Sequence, residues 1–496
     1  MSIIKKLAGQ TAIYGISTMV GRFINYLLVP LYTAKLDNVA DYGVVGVMFS
    51  YASFFAIIFA LGFETAFFHF AQKDNFQKEK VFSTASISLV LSGFLFSIFA
   101  YFFAEPIMNW VGYPNHPEYA IFFTLILASD AVTAIGFAWL RNNQKAWNFA
   151  TVRIANIFIN VGANLFFLVV CPWLYELGYT HTILDSIINT NQVTWIFVSN
   201  LIASLATFPL LLNTWRNLKF GFDYSLFKRM IQYSYPLIFI GLAGMINETF
   251  DRILIKKMMP SDTADYNASI YNAFYKLSLI LTLFVQAFRF AVEPYFFQQS
   301  KSMDAKHQHA YIMKWFVYAV TTIFLGTLLI LPWIAPLLIR NPEYFKHPYG
   351  MKIVPILLIA NMMLGIYYTL SVWYKVSGQT KIGAYPAFAG AFITIFLNLL
   401  FIPKFGILAS AYTTLISYAS MVVFGYLLSK KYYPIPFEYS RILGSIFTSL
   451  LISWGMLNLP NTLFGYSIKI TLLLLFVASI FWIEKRTQHY AEHKNH

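Results

Sequence analysis

Residues 42–70 read YGVVGVMFSYASFFAIIFALGFETAFFHF, and Glu64 is the one Asp, Glu, Lys or Arg among these 29 residues. About 20 mostly apolar residues suffice for a helix to cross the hydrocarbon core of a bilayer. Thirteen other segments have the same character, so the sequence predicts an all-α membrane protein with about 14 transmembrane helices. The predicted spans cover residues 9–33, 42–70, 81–103, 119–140, 146–170, 193–214, 232–255, 266–293, 312–339, 353–374, 383–402, 407–429, 442–460 and 465–483.

The composition of the 496-residue chain agrees with this prediction. Hydrophobic residues make up 58% and charged residues 11%, whereas soluble domains carry about 25% charged residues. A set of soluble domains would need more charged surface than 35 Lys and Arg with 21 Asp and Glu can supply. The single cysteine, Cys171, excludes a disulfide and a Cys-rich metal site. We expect no metal site and no cofactor.

The charges divide unevenly between alternate connections. One set, which includes both termini, carries 22 Lys and Arg with 7 Asp and Glu, and the other carries 8 and 9. The positive-inside rule therefore predicts that both termini are cytoplasmic. The net charge of +14 is explained by topology and by anionic lipid headgroups. A nucleic-acid patch would have no reason to be divided among eight short segments.

Two similar short motifs in the sequence indicate an internal repeat. The sequence VADY at 39–42 opens the second predicted span, and TADY at 263–266 opens the eighth. This offset of six spans predicts two lobes in parallel orientation, a plan found in many transporters. The predicted domains are 1–220 with spans 1–6, 221–430 with spans 7–12, and 431–496 with spans 13–14 and a cytoplasmic tail. The alternative is that Ala-Asp-Tyr is only a common cap at the membrane interface.

Ionisable groups at membrane depth mark functional sites by default. Arg22 and Asn25 continue a polar stripe along span 1, and Arg22 lies roughly 16–20 Å from either end of that span. We predict that this stripe lines a cavity, and a buried ion pair within the first lobe is the alternative. Asp130 and Arg153 lie at equal distances from the turn between spans 4 and 5, which favours a salt bridge within that hairpin.

Spans 7 and 8 are the richest in charge. Glu248 and Arg252 are four residues apart and can pair on one helix, and Asp251 lies beside them. Lys276 lies one turn from the position opposite Glu248 when the hairpin is folded. We predict a transport-path role for this group. Arg289 and Glu293 lie near the cytoplasmic end of span 8, where snorkelling to the interface is the simpler explanation.

Several catalytic signatures are absent from the sequence. It contains no Gly-x-x-x-x-Gly-Lys-Ser/Thr phosphate loop, no His-Glu-x-x-His pair and no Gly-x-Ser-x-Gly elbow. It also lacks Asp-x-Asp and a large predicted outer loop, which weakens a glycosyltransferase or polymerase. The leading class is therefore a transporter driven by a gradient rather than an enzyme.

Five stretches, taken in order, resemble the Wzx-type polysaccharide-biosynthesis flippases of the multidrug/oligosaccharidyl-lipid/polysaccharide (MOP) superfamily. They are 39–43 (VADYG), 62–68 (GFETAFF), 251–255 (DRILI), 288–294 (FRFAVEP) and 402–407 (IPKFGI). The resemblance implies a multi-pass protein of the bacterial inner membrane. It also implies that the protein flips an undecaprenyl-diphosphate-linked oligosaccharide to the outer leaflet by alternating access, with membrane lipids and other polysaccharide-assembly proteins as partners.

Arginine suits this substrate, because its planar fork donates two parallel hydrogen bonds to phosphate. The resemblance makes Arg22, Asn25, Arg252, Lys276 and Arg289 candidate substrate-binding residues. Candidates for ion coupling or charge pairing are Glu64, Asp130, Arg153, Glu248, Asp251 and Glu293. Five acids accompany five bases within the predicted spans, so the sequence does not predict a net cationic cavity.

Three alternatives stay open. A drug exporter of the same superfamily would bind cations at Asp130 or Glu248, although such exporters usually have twelve spans. A flippase for the peptidoglycan lipid precursor shares the count of fourteen. A membrane-bound polysaccharide polymerase or ligase is the third alternative.

Overall fold

The computed structural model describes residues 15, 17, 19–21, 23, 24, 26–72, 76–179, 181–219, 221–299 and 304–494. Side chains are described for the same residues apart from 290, 291, 293, 294, 297–299, 380 and 487–494. Within these ranges the regular structure is helical and no strand occurs. The predicted all-α membrane fold is confirmed.

Eleven helices in the described part of the chain are long and apolar enough to cross a membrane. The predicted count of about 14 includes three more. The first span lies largely outside the described residues. The seventh is the 35-residue helix Tyr224–Met258, which contains more polar residues than the other spans. The eleventh and twelfth merge into one long helix, Thr380–Tyr432.

The chain divides into two compact units, and unit 1 comprises Met1–Asn272 and Ile395–Ile407. Its helices are α1 (Leu28–Lys35), α2 (Val39–Phe59), α3 (Phe63–Ala71), α4 (Lys78–Phe102), α5 (Ala104–Val111), α6 (Glu118–Asn142), α7 (Ala146–Leu165), α8 (Cys171–Glu176), α9 (Thr182–Asn189), α10 (Gln192–Leu210), α11 (Leu212–Trp215) and α12 (Tyr224–Met258). A π-helical turn, Phe166–Val170, joins α7 to α8.

Unit 2 comprises Ala273–Thr394 and Leu408–His496. Its helices are α14 (Ala305–Leu338), α15 (Gly350–Leu370), α16 (Val372–Val376), α18 (Tyr439–Asn458) and α19 (Leu463–Lys494). Two long helices, α13 (Ala264–Gln299) and α17 (Thr380–Tyr432), contribute to both units. The predicted domains 1–220, 221–430 and 431–496 divide the chain by its repeat rather than by contact, and they stay a prediction.

Two glycines allow α2 to approach the start of α13 within unit 1. A Cβ atom on Gly43 would lie 2.0 Å from the backbone oxygen of Asp265, and one on Gly46 would lie 2.8 Å from the side chain of Asn272. Because any larger residue would have to push the backbones apart, these glycines fix the distance between the two helices. Gly43 directly follows the repeated motif and ends the VADYG stretch at 39–43, so this stretch marks a close helix contact here.

A glycine with positive φ interrupts one predicted span, and another separates two predicted spans that form one long helix. Gly62, with φ of 64°, directly precedes the first residue of α3, so α2 does not continue into α3 as one regular helix. Gly406, with φ of 57°, breaks α17 at the connection predicted between spans 11 and 12. Glycine populates positive φ without the steric penalty of a Cβ atom, which explains glycine at both turns.

A network of charges joins the helices at one end of unit 2. Lys314 on α14 is 4% exposed and lies 2.8 Å from both Glu438 and Glu484. Arg441 pairs with the same two carboxylates, and the Tyr318 hydroxyl donates to Glu484 at 2.9 Å. The two C-terminal helices are therefore fastened to α14 by ion pairs. Helix α19 continues past Glu484 to Lys494, so the segment predicted as a cytoplasmic tail begins as an extension of this helix.

Candidate functional site: a polar cavity in unit 1

Unit 1 contains a polar cavity of about 520 Å³ between α6, α7 and α10. This volume lies within the range of about 300–1,000 Å³ that small-molecule sites occupy. Its polar and charged lining residues are Glu64, Asp130, Thr133, Arg141, Arg153, Asn156, Asn160, Asn200, Ser204 and Thr207. Gly21 of the first predicted span also lines it.

The cavity owes its polarity to a stripe along α7. Arg153, Asn156 and Asn160 recur at intervals of three and four residues, so they lie on one face of the helix. The Asn156 amide donates to the Ala203 carbonyl oxygen at 2.8 Å and to the Thr207 hydroxyl at 2.9 Å. Arg153, Asn156 and Asn160 thus line the cavity, and the Asn156 amide also fastens α7 to α10.

Asn164, one turn beyond Asn160 on α7, packs against other residues and does not line the cavity. Asn164 is fully buried and receives a hydrogen bond from the Tyr32 hydroxyl at 3.0 Å. Its own amide donates to Asn160. Cavity lining and helix packing therefore both occur among the asparagines of this one helix.

Asp130 and Arg153 face the same cavity from α6 and α7. The Asp130 carboxylate is hydrogen-bonded to Ser204 and interacts electrostatically with the positive charge of Arg153. The Arg153 guanidinium lies 5.6 Å from the centre of the Phe137 ring. The hairpin therefore presents one carboxylate and one guanidinium to the cavity at similar depth.

A second carboxylate and guanidinium lie further along the cavity. Gly62 restarts the chain as α3, and this places Glu64 in its first turn. Glu64 forms an ion pair with Arg141 at the end of α6, and both side chains are half-buried. The Arg141 guanidinium also lies 5.0 Å from the centre of the Phe68 ring. Sequence reasoning assigned Arg141 to a connection and did not predict this pair, because the two residues lie on helices that are far apart in the chain.

Arg252 lies away from this cavity in a buried network of unit 1. It is 6% exposed and its Nη1 donates to Asp251 at 3.0 Å, while its Nε donates to Asn272 at 3.3 Å. Asp251 is 3% exposed and accepts a hydrogen bond from the Tyr271 hydroxyl at 2.6 Å. The charge of Arg252 is thereby balanced inside the protein.

Glu248 is not the carboxylate that pairs with Arg252, contrary to the sequence expectation. Arg252 donates to the backbone carbonyl oxygen of Glu248 at 3.1 Å, and the Glu248 side chain is exposed. The reason is the direction of the arginine fork, which points to Asp251 and Asn272 and away from the face that carries the Glu248 carboxylate.

Asp265 of the second motif copy forms another charge cluster. It accepts hydrogen bonds from Lys256 at 2.7 Å and from the Tyr113 hydroxyl at 2.8 Å. Burial, together with the adjacent Asp265 carboxylate, raises the pKa of Tyr113 well above its ordinary value. The hydroxyl therefore stays protonated and donates at physiological pH. Asp41 of the first copy instead caps its own helix through Asn38.

The other predicted site residues are dispersed. Lys276 is partly exposed on α13, and the Arg289 guanidinium lies 5.0 Å from the centre of the Tyr368 ring in unit 2. Arg22 and Asn25 lie outside the described residues, and so does the side chain of Glu293. Among the residues described, no group of three His, Cys, Asp or Glu side chains could hold a metal ion.

Comparison with known proteins gives a family and a fold. The model of a family described as polysaccharide biosynthesis protein matches residues 7–300. No curated protein matches the sequence.

Solved structures of MATE transporters resemble most of the chain. The Vibrio cholerae MATE transporter VcmN in its bent form is 14% identical, with a TM-score of 0.57, and the match covers 86% of this chain and 97% of that one. An inward-facing multidrug resistance MATE family transporter of the MOP superfamily is 12% identical, with a TM-score of 0.61 and coverage of 86% and 97%. An outward-facing one is 13% identical, with a TM-score of 0.55 and coverage of 86% and 95%. The fold is that of these transporters.

Proposed function

Since the chain belongs to the family of polysaccharide biosynthesis proteins, we propose that this multi-pass membrane transporter flips an undecaprenyl-diphosphate-linked oligosaccharide. The transfer runs from the cytoplasmic to the outer leaflet of a bacterial inner membrane, and the substrate site opens alternately to each side. The excess of Lys and Arg in one set of connections supports cytoplasmic termini.

The polar cavity of unit 1 is the observation that carries this proposal. A lipid-linked oligosaccharide presents a diphosphate and sugar hydroxyl groups, which need cations and hydrogen-bonding side chains. Arg141 and Arg153 supply the cations, and the amides and hydroxyls of the lining supply the rest. Each guanidinium can donate two parallel hydrogen bonds to phosphate oxygens.

The charges of the cavity suggest how substrate binding is coupled to ions. Its described lining holds two carboxylates, Glu64 and Asp130, and two guanidinium groups, Arg141 and Arg153. Because these charges balance, an entering diphosphate makes the cavity strongly negative. Protonation of Glu64 or Asp130, or entry of a cation, would offset that charge. We therefore propose that these two acids couple transport to a cation gradient.

The remaining predicted residues keep their proposed roles. Arg22 and Asn25 stay in the proposed substrate-binding set, and Arg22 directly follows Gly21 in the sequence, which lines the cavity. Arg252, Lys276 and Arg289 stay in the proposed substrate-binding set. Glu248, Asp251 and Glu293 stay in the proposed set for ion coupling or charge pairing.

A cation-coupled drug exporter is the second candidate. The observation that favours it is that Asp130 and Glu64 place two carboxylates on a cavity large enough for a small organic cation. Such an exporter would need these acids for substrate binding, whereas the flippase needs the arginines.

The test is mass spectrometry of membrane lipids after depletion of the protein in its own host. We expect the lipid-linked oligosaccharide to accumulate and one surface glycan to be lost. Depleted cells are then complemented with wild type, with Arg153→Gln, or with Arg216→Gln, whose exposed arginine lies outside the cavity. Loss of a charge-assisted phosphate contact weakens binding by about tenfold or more, so Arg153→Gln should restore little transport.

The outcomes separate the two candidates. Equal recovery with both variants would remove Arg153 from the proposal. Normal levels of the lipid-linked oligosaccharide, together with new sensitivity to cationic drugs, would overturn the flippase and favour the exporter. In that case Asp130→Asn, and not Arg153→Gln, should abolish drug resistance.

A further inference from the structure

Unit 1 contains a second cavity of about 580 Å³, and its lining is almost wholly apolar. Helices α2, α4, α5 and α6 enclose it. Helix α6 serves both cavities, because Leu127 borders the apolar one and Asp130, one turn further, borders the polar one. The two cavities therefore follow each other along α6, with opposite chemical character.

The apolar cavity has the depth of one membrane leaflet. Its lining on α2 extends from Met48 to Phe59, which is roughly 16 Å along the helix axis at 1.5 Å per residue. Half of a hydrocarbon core of about 30 Å is close to the same length. Phe99 of the lining is 55% exposed, so the cavity opens on the surface of the unit. Its length suits an acyl chain that spans a single leaflet.

Polar groups gather at one end of this cavity around Trp110. Trp110 lines the cavity and is 60% exposed, as is typical of tryptophan at a membrane interface. The Lys257 ammonium group lies 5.2 Å from the centre of the Trp110 ring and donates to the Trp110 carbonyl oxygen. The Lys257 side chain is exposed, so its other hydrogens can reach a ligand.

The Tyr51 hydroxyl provides a second, independent observation. Tyr51 lines the cavity, is 6% exposed, and packs with its ring 5.6 Å from that of Trp110. Among the residues that the structure describes, no group accepts from or donates to this hydroxyl. A buried hydroxyl without a partner is unusual, because it has lost its hydrogen bonds to water. Its position points to a polar ligand group at the Trp110 end.

We propose that this cavity binds a membrane phospholipid, with one acyl chain in the cavity and the phosphate against Lys257. The Tyr51 hydroxyl donates to the ester or phosphate oxygens of the same lipid. The apolar lining, the cation and the unpaired hydroxyl match the three chemical parts of a phospholipid in their order from leaflet centre to interface. A polyprenyl chain is a poorer match, because it is longer than one leaflet. This proposal does not rest on the proposed function.

The test is native mass spectrometry of the full chain, purified in detergent and titrated with phosphatidylglycerol. Tyr51→Phe removes only the hydroxyl, and its matched control is Tyr26→Phe, where a buried hydroxyl outside this cavity also has no partner among the described residues. Lys257→Gln removes the cation, and its control is Lys352→Gln, where an exposed lysine lies 5.6 Å from the centre of the Tyr349 ring.

We expect Tyr51→Phe and Lys257→Gln each to weaken phosphatidylglycerol binding by about three- to tenfold, while the controls bind like wild type. Unchanged binding in both Tyr51→Phe and Lys257→Gln would overturn the site. Equally tight binding of diacylglycerol, which has no phosphate, would overturn recognition of the phosphate. Tighter binding of undecaprenyl phosphate than of phosphatidylglycerol, lost in Tyr51→Phe, would overturn the phospholipid as occupant.

Discussion

Removal of the Arg252 guanidinium should destabilise unit 1 more than removal of the whole ion pair. In Arg252→Met the Asp251 carboxylate stays buried, at 3% exposure in wild type, and keeps hydrogen bonds from neutral donors, the Tyr271 hydroxyl at 2.6 Å and the backbone N–H of residue 252 at 2.9 Å. An uncompensated buried charge costs about 3–5 kcal/mol, whereas replacing both partners is often nearly neutral. The double variant Asp251→Asn with Arg252→Met should therefore be more stable than Arg252→Met alone.

The assay is thermal unfolding of the purified variants in detergent. At about 2 °C per kcal/mol, Arg252→Met should melt about 6–10 °C below wild type. The double variant should recover most of this loss, so that the two substitutions are strongly coupled. Equal or additive losses would refute the view that Asp251 and Arg252 stabilise the fold as a pair.

The same variants decide the predicted substrate role of Arg252. A structural pair predicts that the double variant both folds and transports. A double variant that melts like wild type but does not transport would instead assign Arg252 to the substrate. The stability and transport measurements therefore separate two explanations of one buried arginine.

Two further predictions concern helix packing and pH. Gly43→Ala should lower the melting temperature clearly, because its Cβ would lie 2.0 Å from a backbone oxygen. The control is Gly244→Ala, where no atom lies within 4 Å of the added Cβ, and it should leave the melting temperature unchanged or slightly raised. Equal effects of the two substitutions would contradict the close contact at Gly43. Asp223 receives a hydrogen bond from Lys80 and others from its own helix start, and these lower the pKa of the Asp223 carboxyl. Its stabilising contribution should be complete above the unfolded pKa of about 3.9 and should decline as pH falls below that value. The difference in melting temperature between wild type and Asp223→Asn should therefore shrink under acid conditions, and a difference that grows there would refute the assignment.

The fold could be predicted from the sequence because each membrane span is indicated by its own residues. Long apolar segments indicate spans whatever their neighbours are, since the bilayer sets the required length. Gly406 illustrates the same point, because it lies three residues after Pro403 in the short connection predicted between spans 11 and 12, where the helix breaks. Helical spacing likewise placed Arg153, Asn156 and Asn160 on one face, and the structure puts all three on the polar cavity.

The partners of the charged groups were harder to predict from the sequence. Arg252 has two carboxylates within one helical turn, and sequence spacing favoured Glu248 over Asp251. The choice depends on which way the guanidinium turns, and that is set by Asn272 on a neighbouring helix. The pair of Glu64 with Arg141 joins residues 77 positions apart, and only the assembled helices bring them together.

The charge network in unit 2 also sets an order of events during synthesis. Lys314 finds its partner Glu484 170 residues later in the chain. At roughly 5–20 residues per second, the ribosome needs about 10–30 s to make that stretch. Until then Lys314 belongs to a helix already in the membrane whose final carboxylate has not been synthesised. A chain that ends before Glu484 should therefore leave Lys314 with Glu438 as the remaining carboxylate of this network, so the ion pairs that fasten unit 2 are completed only by its last helix.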